Sequence, residues 1–180
     1  MILIPTDAQT VRRPEVIREQ GFTLIEVLVA MLIVAVGVLG VAGMQVVSLQ
    51  QNRNALLRDQ ALQSGNDILD RMRANPLTDY APVLIDDDPV SEFNCMDVSC
   101  DRNEMAEFDI AQWKCGLDPI DDDDSVYAAC TDFGILQAAL PEGKGSIERV
   151  GSVHVVTVEW VNDREGNVSQ IILRTRTEAP

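Results

Sequence analysis

The stretch EQGFTLIEVLVAMLIVAVGVLG, residues 19–40, decides how this chain is built. From Phe22 to Val47 the only ionisable side chain is Glu26. About 20 apolar residues suffice to cross a bilayer as a helix, whereas a helix in a soluble core alternates apolar with polar residues over such a length. The run therefore predicts a membrane-spanning helix over residues 22–47. A carboxylate there is costly, so Glu26 either reaches the membrane surface or has a partner.

The helical pattern continues beyond the membrane run as a stripe of apolar and small side chains. Its members, spaced by four and three residues, are Leu57, Ala61, Gly65, Ile68 and Met72. Pro76 ends the pattern, because proline disfavours helix at the preceding residue and cannot continue one itself. The sequence therefore predicts one long helix over residues 22–75, whose second half packs its stripe on a globular domain.

Residues 76–180 are predicted to form that domain from a loop-rich region and short elements. The segment NEMAEFDIAQWKCGL, residues 103–117, predicts a short helix with Trp113 packed inward, and FGILQAAL, residues 133–140, predicts a second one. Alternating apolar residues then predict three antiparallel strands, over 145–150, 152–161 and 168–177. Because a small sheet needs a face to bury against, the helix stripe completes an α+β fold.

The formal charge of −15 falls entirely on residues 76–180, since residues 1–21 and residues 22–75 each sum to zero. An acidic domain of this kind is repelled by phosphate backbones and by anionic membrane surfaces. The charge distribution therefore argues against direct binding of nucleic acid.

Four cysteines, Cys95, Cys100, Cys115 and Cys130, all follow the membrane run. An even number of cysteines in a small exported domain indicates two disulfides, with three possible connectivities. Zinc is the competing interpretation, but the spacings lack the paired CxxC knuckles of zinc sites. We therefore expect disulfides, and the spacing does not select among the three pairings.

The start of the apolar run carries a specific motif. The segment GFTLIEVLVA, residues 21–30, resembles the processing and assembly signal of type IV pilins and pseudopilins, in which a Gly precedes a Phe or Met and a Glu lies five residues after the Gly. Further segments resemble the PilV-type minor pilins (type IV pilus modification proteins), namely AVGVLGVAGMQ at 35–45, FDIAQWKCGL, ALPEGKGSI and VTVEWVND. The expected fold is therefore pilin-like.

The resemblance implies how the chain is processed and where it resides. Residues 1–21 would be a leader that a membrane prepilin peptidase removes by cutting between Gly21 and Phe22, and the same peptidase would methylate the new amino group of Phe22. Similar proteins insert in the inner membrane once, hold the C-terminal domain in the periplasm and then join the extracellular fibre. The chain would thus be a substrate, not an enzyme, and it would need no cofactor.

Glu26 acquires a role within this motif. Phe22 and Glu26 are four residues apart, so both lie on one helix face. In a bundle of such helices, Glu26 of one subunit would pair with the Phe22 amine of its neighbour, which relieves the cost of the buried carboxylate and sets the axial register. The alternative is a Glu26 that extends to the lipid headgroups, and the motif favours the ion pair.

Three glycines, Gly37, Gly40 and Gly43, recur at every third position of the apolar run. They allow close approach of helices or local unwinding in a fibre, or they reflect the ordinary tolerance of membrane helices for glycine. Residues 22–75 contain no proline, whereas major pilins commonly have one in the apolar helix. This difference favours a minor component over the main fibre subunit.

The sequence thus predicts a minor pilin that primes type IV pilus assembly and is incorporated at or near the pilus tip. Its partners would be other minor pilins, the major pilin, the prepilin peptidase and the inner-membrane assembly platform. A minor pseudopilin of a type II secretion system is the nearest alternative. A membrane-anchored periplasmic enzyme or metal-binding protein is an alternative of another class.

Candidate catalytic or metal-binding residues outside the motif are few. His154, the only histidine, lies in a predicted strand with no acid or cysteine at motif spacing. The four aspartates at 121–124 lack the spaced pattern of a calcium loop, so they are expected to form a solvated acidic loop. Trp113 and Trp160 are expected in the core.

Overall fold

The computed structural model describes residues 21–80, 82–121, 123–163 and 165–176, so that of the predicted leader only Gly21 lies inside the described residues. The elements are the helices α1 (Leu24–Ala74), α2 (Arg102–Leu117) and α3 (Ala128–Asp132) and the strands β1 (Lys144–Val150), β2 (Val153–Val161) and β3 (Val168–Arg176). The strands form one antiparallel sheet in the order β1–β2–β3. The predicted α+β fold, a long N-terminal helix with a small C-terminal sheet, is confirmed.

The chain divides into two compact units, one ending at Val46 and one beginning at Val47. The first contains the apolar start of α1. The second contains the rest of α1, both short helices and the sheet, and the hydrophobic core lies here.

The second half of α1 buries the predicted stripe. All five of its members are buried, and Leu69 joins them. Gly65 allows α1 to approach β3 closely, since a Cβ atom at this position would lie 2.5 Å from Cδ1 of Leu173. α1 ends at Ala74, two residues before Pro76, which agrees with the helix-stopping effect of proline.

α2 covers the predicted helix and begins with a capping box. The side chain of Asp101 accepts from the backbone N–H groups of Asn103 and Glu104, and the Glu104 side chain accepts from the N–H of Asp101. This reciprocal pair satisfies backbone donors that a helix start leaves without partners. Trp113 is 2 % exposed, as predicted, and its Nε1 donates to the carbonyl of Ser64 at 3.0 Å, which ties α2 to α1.

The sheet is a meander whose two faces separate by period two. Val156, Val158 and Trp160 of β2 point into the core, and so does Ile171 of β3. Ile172 lies on the opposite face and is exposed. The alternation of apolar residues that predicted the strands therefore also separates their buried and exposed faces.

Two disulfides join the four cysteines, Cys95 to Cys100 and Cys115 to Cys130, and the described residues contain no free cysteine. The first closes a short loop just before the capping box of α2. The second is fully buried and joins α2 to α3. One of the three possible pairings is therefore present in the structure.

The prediction of a helix over residues 133–140 is wrong. The helix in this region is α3, which ends at Asp132. Gly134 adopts a left-handed conformation with φ of +70°. Its N–H donates to the carbonyl of Thr131, and the N–H of Ile135 donates to the carbonyl of Cys130. This is the Schellman pattern of a helix end, so the glycine terminates a helix that precedes the apolar run.

Candidate assembly site

Glu26 of the motif lies in the first turn of α1, which Thr23 caps, whereas Gly21 and Phe22 precede the helix. The backbone N–H of Glu26 donates to the Thr23 carbonyl at 3.1 Å and lies 3.3 Å from the Thr23 hydroxyl oxygen. The Val27 N–H also donates to the Thr23 carbonyl, at 3.3 Å. Thr23 is therefore the N-cap residue and Glu26 occupies the third helical position. This cap was not predicted from the sequence, although threonine followed three residues later by glutamate is its signature.

Phe22, which precedes α1, lines one shallow surface together with Glu26 and Ala30 of the helix. Phe22 is 82 % exposed, and Glu26 stands in a row of exposed apolar side chains. Glu26 makes no ion pair within the ranges that the structure describes. Its carboxylate is thus presented to whatever medium or chain surrounds α1.

A continuous run of exposed apolar side chains extends from Phe22, just before α1, to Leu49. Every large apolar side chain in this range is more than two fifths exposed. Among the described residues, α1 is the one helix long and apolar enough to cross a membrane. A Cβ atom added at Gly37, Gly40 or Gly43 would meet nothing within 4 Å, so their role in helix packing stays a prediction.

Comparisons with known families point the same way as the motif. Residues 17–42 match the family described as prokaryotic N-terminal methylation motif, and residues 43–111 match the family described as type IV pilin Tt1218. The chain is a type IV pilin-like protein. No curated protein and no solved structure matches it.

Membership of this family supports a pilin role in a pilus or pseudopilus for this pilin-like protein. Type IV pilins are in general structural, non-enzymatic subunits of a pilus or pseudopilus. The methylation motif implies processing by a prepilin peptidase and association with other components of such an assembly. The motif and the apolar start of α1 fit anchoring in the inner membrane.

A buried polar cluster fixes the end of α1 in the pilin-like protein. The Tyr80 hydroxyl donates to Oδ2 of Asp109 at 2.7 Å, and Nη1 of Arg71 lies 3.2 Å from Oδ1 of the same carboxylate. Arg71 also donates to the side-chain oxygen of Gln112. Burial and the hydrogen bond to Asp109 raise the pKa of Tyr80 well above its usual value. This cluster was not predicted from the sequence, because Arg71 and Tyr80 lie far from Asp109 and Gln112 in the chain.

Lys114 of α2 is a second buried polar residue that the sequence did not indicate. It is only 5 % exposed, and its Nζ donates to the carbonyls of Leu84 at 2.7 Å and Asp87 at 2.5 Å. These bonds hold the acidic loop that follows Val83 against α2. Burial lowers the pKa of Lys114 to about 8, although the nearby carboxylates of the loop act in the opposite direction.

The other candidate residues occupy structural positions. His154 is buried in β2 with Nε2 3.4 Å from Oδ1 of Asp79. Asp121 folds its own loop by accepting from the hydroxyl and N–H of Ser125, which lowers the pKa of its carboxyl group. In the described part of the chain no three His, Cys, Asp or Glu side chains are placed to hold a metal ion.

Proposed function

We propose that this protein is a PilV-type minor pilin that primes pilus assembly in the inner membrane and is incorporated at or near the pilus tip. Glu26 carries the proposal. It presents a carboxylate on the exposed apolar side of α1 and has no counter-charge in the described ranges. An unpaired charge costs a few kcal/mol in a bilayer, and a neighbouring chain that supplies the opposite charge relieves this cost.

Processing would create the counter-charge. Cleavage between Gly21 and Phe22 removes residues 1–21, and the new amino group of Phe22, which the peptidase then methylates, lies one helical turn from Glu26. Glycine before the cleaved bond leaves the backbone unobstructed. The amine of one subunit would then pair with Glu26 of its neighbour, so that the pair forms only between processed subunits.

The remaining parts of the chain would serve the same assembly. Residues 22–47 would span the membrane, with Gly37, Gly40 and Gly43 facing neighbouring helices, and residues 76–180 would lie in the periplasm, where disulfides form. The partners would be other minor pilins, the major pilin and the assembly platform. The absence of proline from residues 22–75 supports a minor subunit rather than the main one.

The test is complementation of a strain that lacks the gene with Glu26→Gln. Glutamine retains a side chain suited to the third helical position but removes the charge. We expect the variant to be processed normally, to be absent from sheared pili and to leave few pili on the cell at an unchanged level of major pilin. Secretion through a type II system is assayed in the same cells, and loss of secretion with normal pili would identify a pseudopilin instead.

Two control variants separate the possible causes of failure. Gly21→Leu is expected to accumulate as the longer precursor, which reports on processing alone. Thr23→Ala removes the cap and keeps the charge, so we expect it to support pili. Normal piliation together with normal secretion by Glu26→Gln would refute the ion pair, and failure of Thr23→Ala alone would assign the motif to helix capping.

A further inference from the structure

The outer edge of β3 differs from the outer edge of β1. The N–H of Ile147 in β1 donates to the carbonyl of Val83 at 3.0 Å, and the N–H of Val83 donates back at 2.9 Å, so the preceding loop pairs with this edge. These bonds also fix the direction of the backbone groups. The backbone N–H and C=O groups of Ile147 are directed away from β2, so those of its partner Val156 are directed towards β3. Val156 therefore forms its backbone hydrogen bonds with Leu173.

Alternate residues of β3 therefore direct their backbone N–H and C=O groups away from the sheet. They are Val168, Gln170, Ile172, Arg174 and Arg176. Across the described residues these groups have no backbone partner. β3 pairs with β2 over nine consecutive residues without a bulge, and it contains no proline and no inward charge. Proteins usually protect such an edge with one of these features or with exposed charges, so Arg174 and Arg176 leave this edge open only to a strand of opposite charge.

The side chains along this edge include two exposed arginines and, on the side of the core, partly buried leucines. Arg174 and Arg176 are exposed and make no ion pair with any described residue, although the domain around them is strongly acidic. Several other cations of the domain are paired, namely Arg71, Arg73, Lys144 and Arg149. Leu173, together with Leu62 one turn before Gly65 on α1, is only partly buried against the core.

We propose that the β3 edge binds an extended segment of a partner protein in which acidic and apolar residues alternate. Its backbone would bond to the outward groups of β3, its carboxylates would face Arg174 and Arg176, and its apolar residues would cover Leu62 and Leu173. Added strands gain affinity from main-chain bonds and specificity from alternate side chains. The inference does not depend on the minor pilin proposal, because it requires only a folded domain.

A second copy of this chain does not supply such a segment from its acidic runs. The run at 86–88 is followed by Pro89, which lacks a backbone donor, and the run at 121–124 ends with Asp124 in a left-handed conformation with φ of 59°. Neither acidic run therefore offers an uninterrupted extended strand. The occupant we propose is a different chain.

The test measures binding of defined peptides to the purified full chain in detergent micelles. The probe is a fluorescent peptide of about eight residues that alternates valine and glutamate, within the usual length of a strand. One control peptide replaces glutamate with lysine, and another carries N-methyl groups on every second residue, which removes backbone donors. Fluorescence anisotropy gives the affinity, and hydrogen exchange of Gln170, Ile172 and Arg174 gives the location.

We expect saturable binding of the acidic peptide alone, with slower exchange at the three β3 amides. Reversing both arginines, as Arg174→Glu with Arg176→Glu, should weaken binding about tenfold or more, since exposed pairs are individually weak and reversal adds repulsion. The matched control, Arg58→Glu with Arg73→Glu, changes the net charge equally and should stay within about twofold.

Several results would overturn the proposal. They are the absence of binding by the acidic peptide, equal binding of the lysine or N-methylated peptide, and an affinity unaffected by the β3 charge reversal. Protection of the same amides that grows with protein concentration in the absence of peptide would assign the edge to a second copy.

Discussion

The substitution Gly145→Ala tests the contact that fixes α2 on the sheet. A Cβ atom at Gly145 in β1 would lie 2.7 Å from Cδ1 of Leu117 and 2.8 Å from Cζ3 of Trp113, and it would contact Cη2 of the same ring. These approaches are closer than any van der Waals contact, so the ring must move. Trp113 has little room, because it is buried and its Nε1 bonds to the carbonyl of Ser64.

The expected cost follows from these contacts. Extra methyl groups in a well-packed core cost about 1–3 kcal/mol, and loss of the indole hydrogen bond adds about 1 kcal/mol if the ring tilts. Gly145→Ala should therefore lower the free energy of unfolding by about 2–4 kcal/mol. This loss is a large share of the free energy of unfolding of a typical domain, which is roughly 5–15 kcal/mol.

Two glycines in helices provide matched comparisons. In Gly65→Ala the new atom meets the flexible end of Leu173, and the gain in helix propensity of about 1 kcal/mol offsets that strain, so we expect stability within about 1 kcal/mol of wild type. Gly116→Ala in α2 meets nothing within 4 Å and should not destabilise.

The assay is urea unfolding of the full chain in detergent, followed by tryptophan fluorescence. Trp113 and Trp160 are the only tryptophans, and both are buried, so their emission reports on this core. A Gly145→Ala variant as stable as Gly65→Ala would refute the claim that a rigid ring limits this position.

Further predictions concern Lys114 and the disulfides. Because the pKa of Lys114 is lowered on folding, the unfolded chain binds more protons between pH 8 and the ordinary lysine pKa of 10.5. The free energy of unfolding, relative to that of Lys114→Met, should therefore rise with pH in this range, by up to about 1.4 kcal/mol per pH unit. Urea unfolding at pH 7.5 and pH 9.5 measures this rise, and a difference that does not change with pH contradicts it. Replacing Cys115 and Cys130 by alanine should lower the free energy of unfolding by about 3 kcal/mol, and replacing Cys95 and Cys100 by about 2 kcal/mol. The reason is that the longer closed loop restricts the unfolded chain more. Equal losses in the same assay would contradict this dependence on loop length.

Regular elements were predictable because their apolar residues repeat with the period of the element. The stripe from Leu57 to Met72 repeats at helical spacing and is buried as predicted, and the alternation that predicted β2 matches its alternating burial. The error at residues 133–140 has a local cause, since composition suggested a helix and the left-handed Gly134 ends one. Apolar content alone does not distinguish the start of a helix from its end.

Long-range polar contacts were not predictable from the sequence. Tyr80 and Asp109 are separated by 29 residues, and no periodic pattern links them. Likewise, nothing in the sequence around Lys114 indicated that its ammonium group would be buried against two carbonyls. Such contacts depend on how loops return to α2, which only the folded chain determines.

The cap at Thr23 bears on why residue 26 is a glutamate. A carboxylate in the first turn gains about 0.3–1 kcal/mol from the positive end of a helix, whereas an unpaired charge inside a bilayer costs about 3 kcal/mol on insertion scales. Capping therefore offsets only a fraction of the cost, and glutamine at this position would keep much of the capping without the charge. The residues that the structure describes offer Glu26 no cation. The difference in magnitude thus favours a counter-charge from a neighbouring processed subunit, and Glu26→Gln is the substitution that separates this pairing from capping.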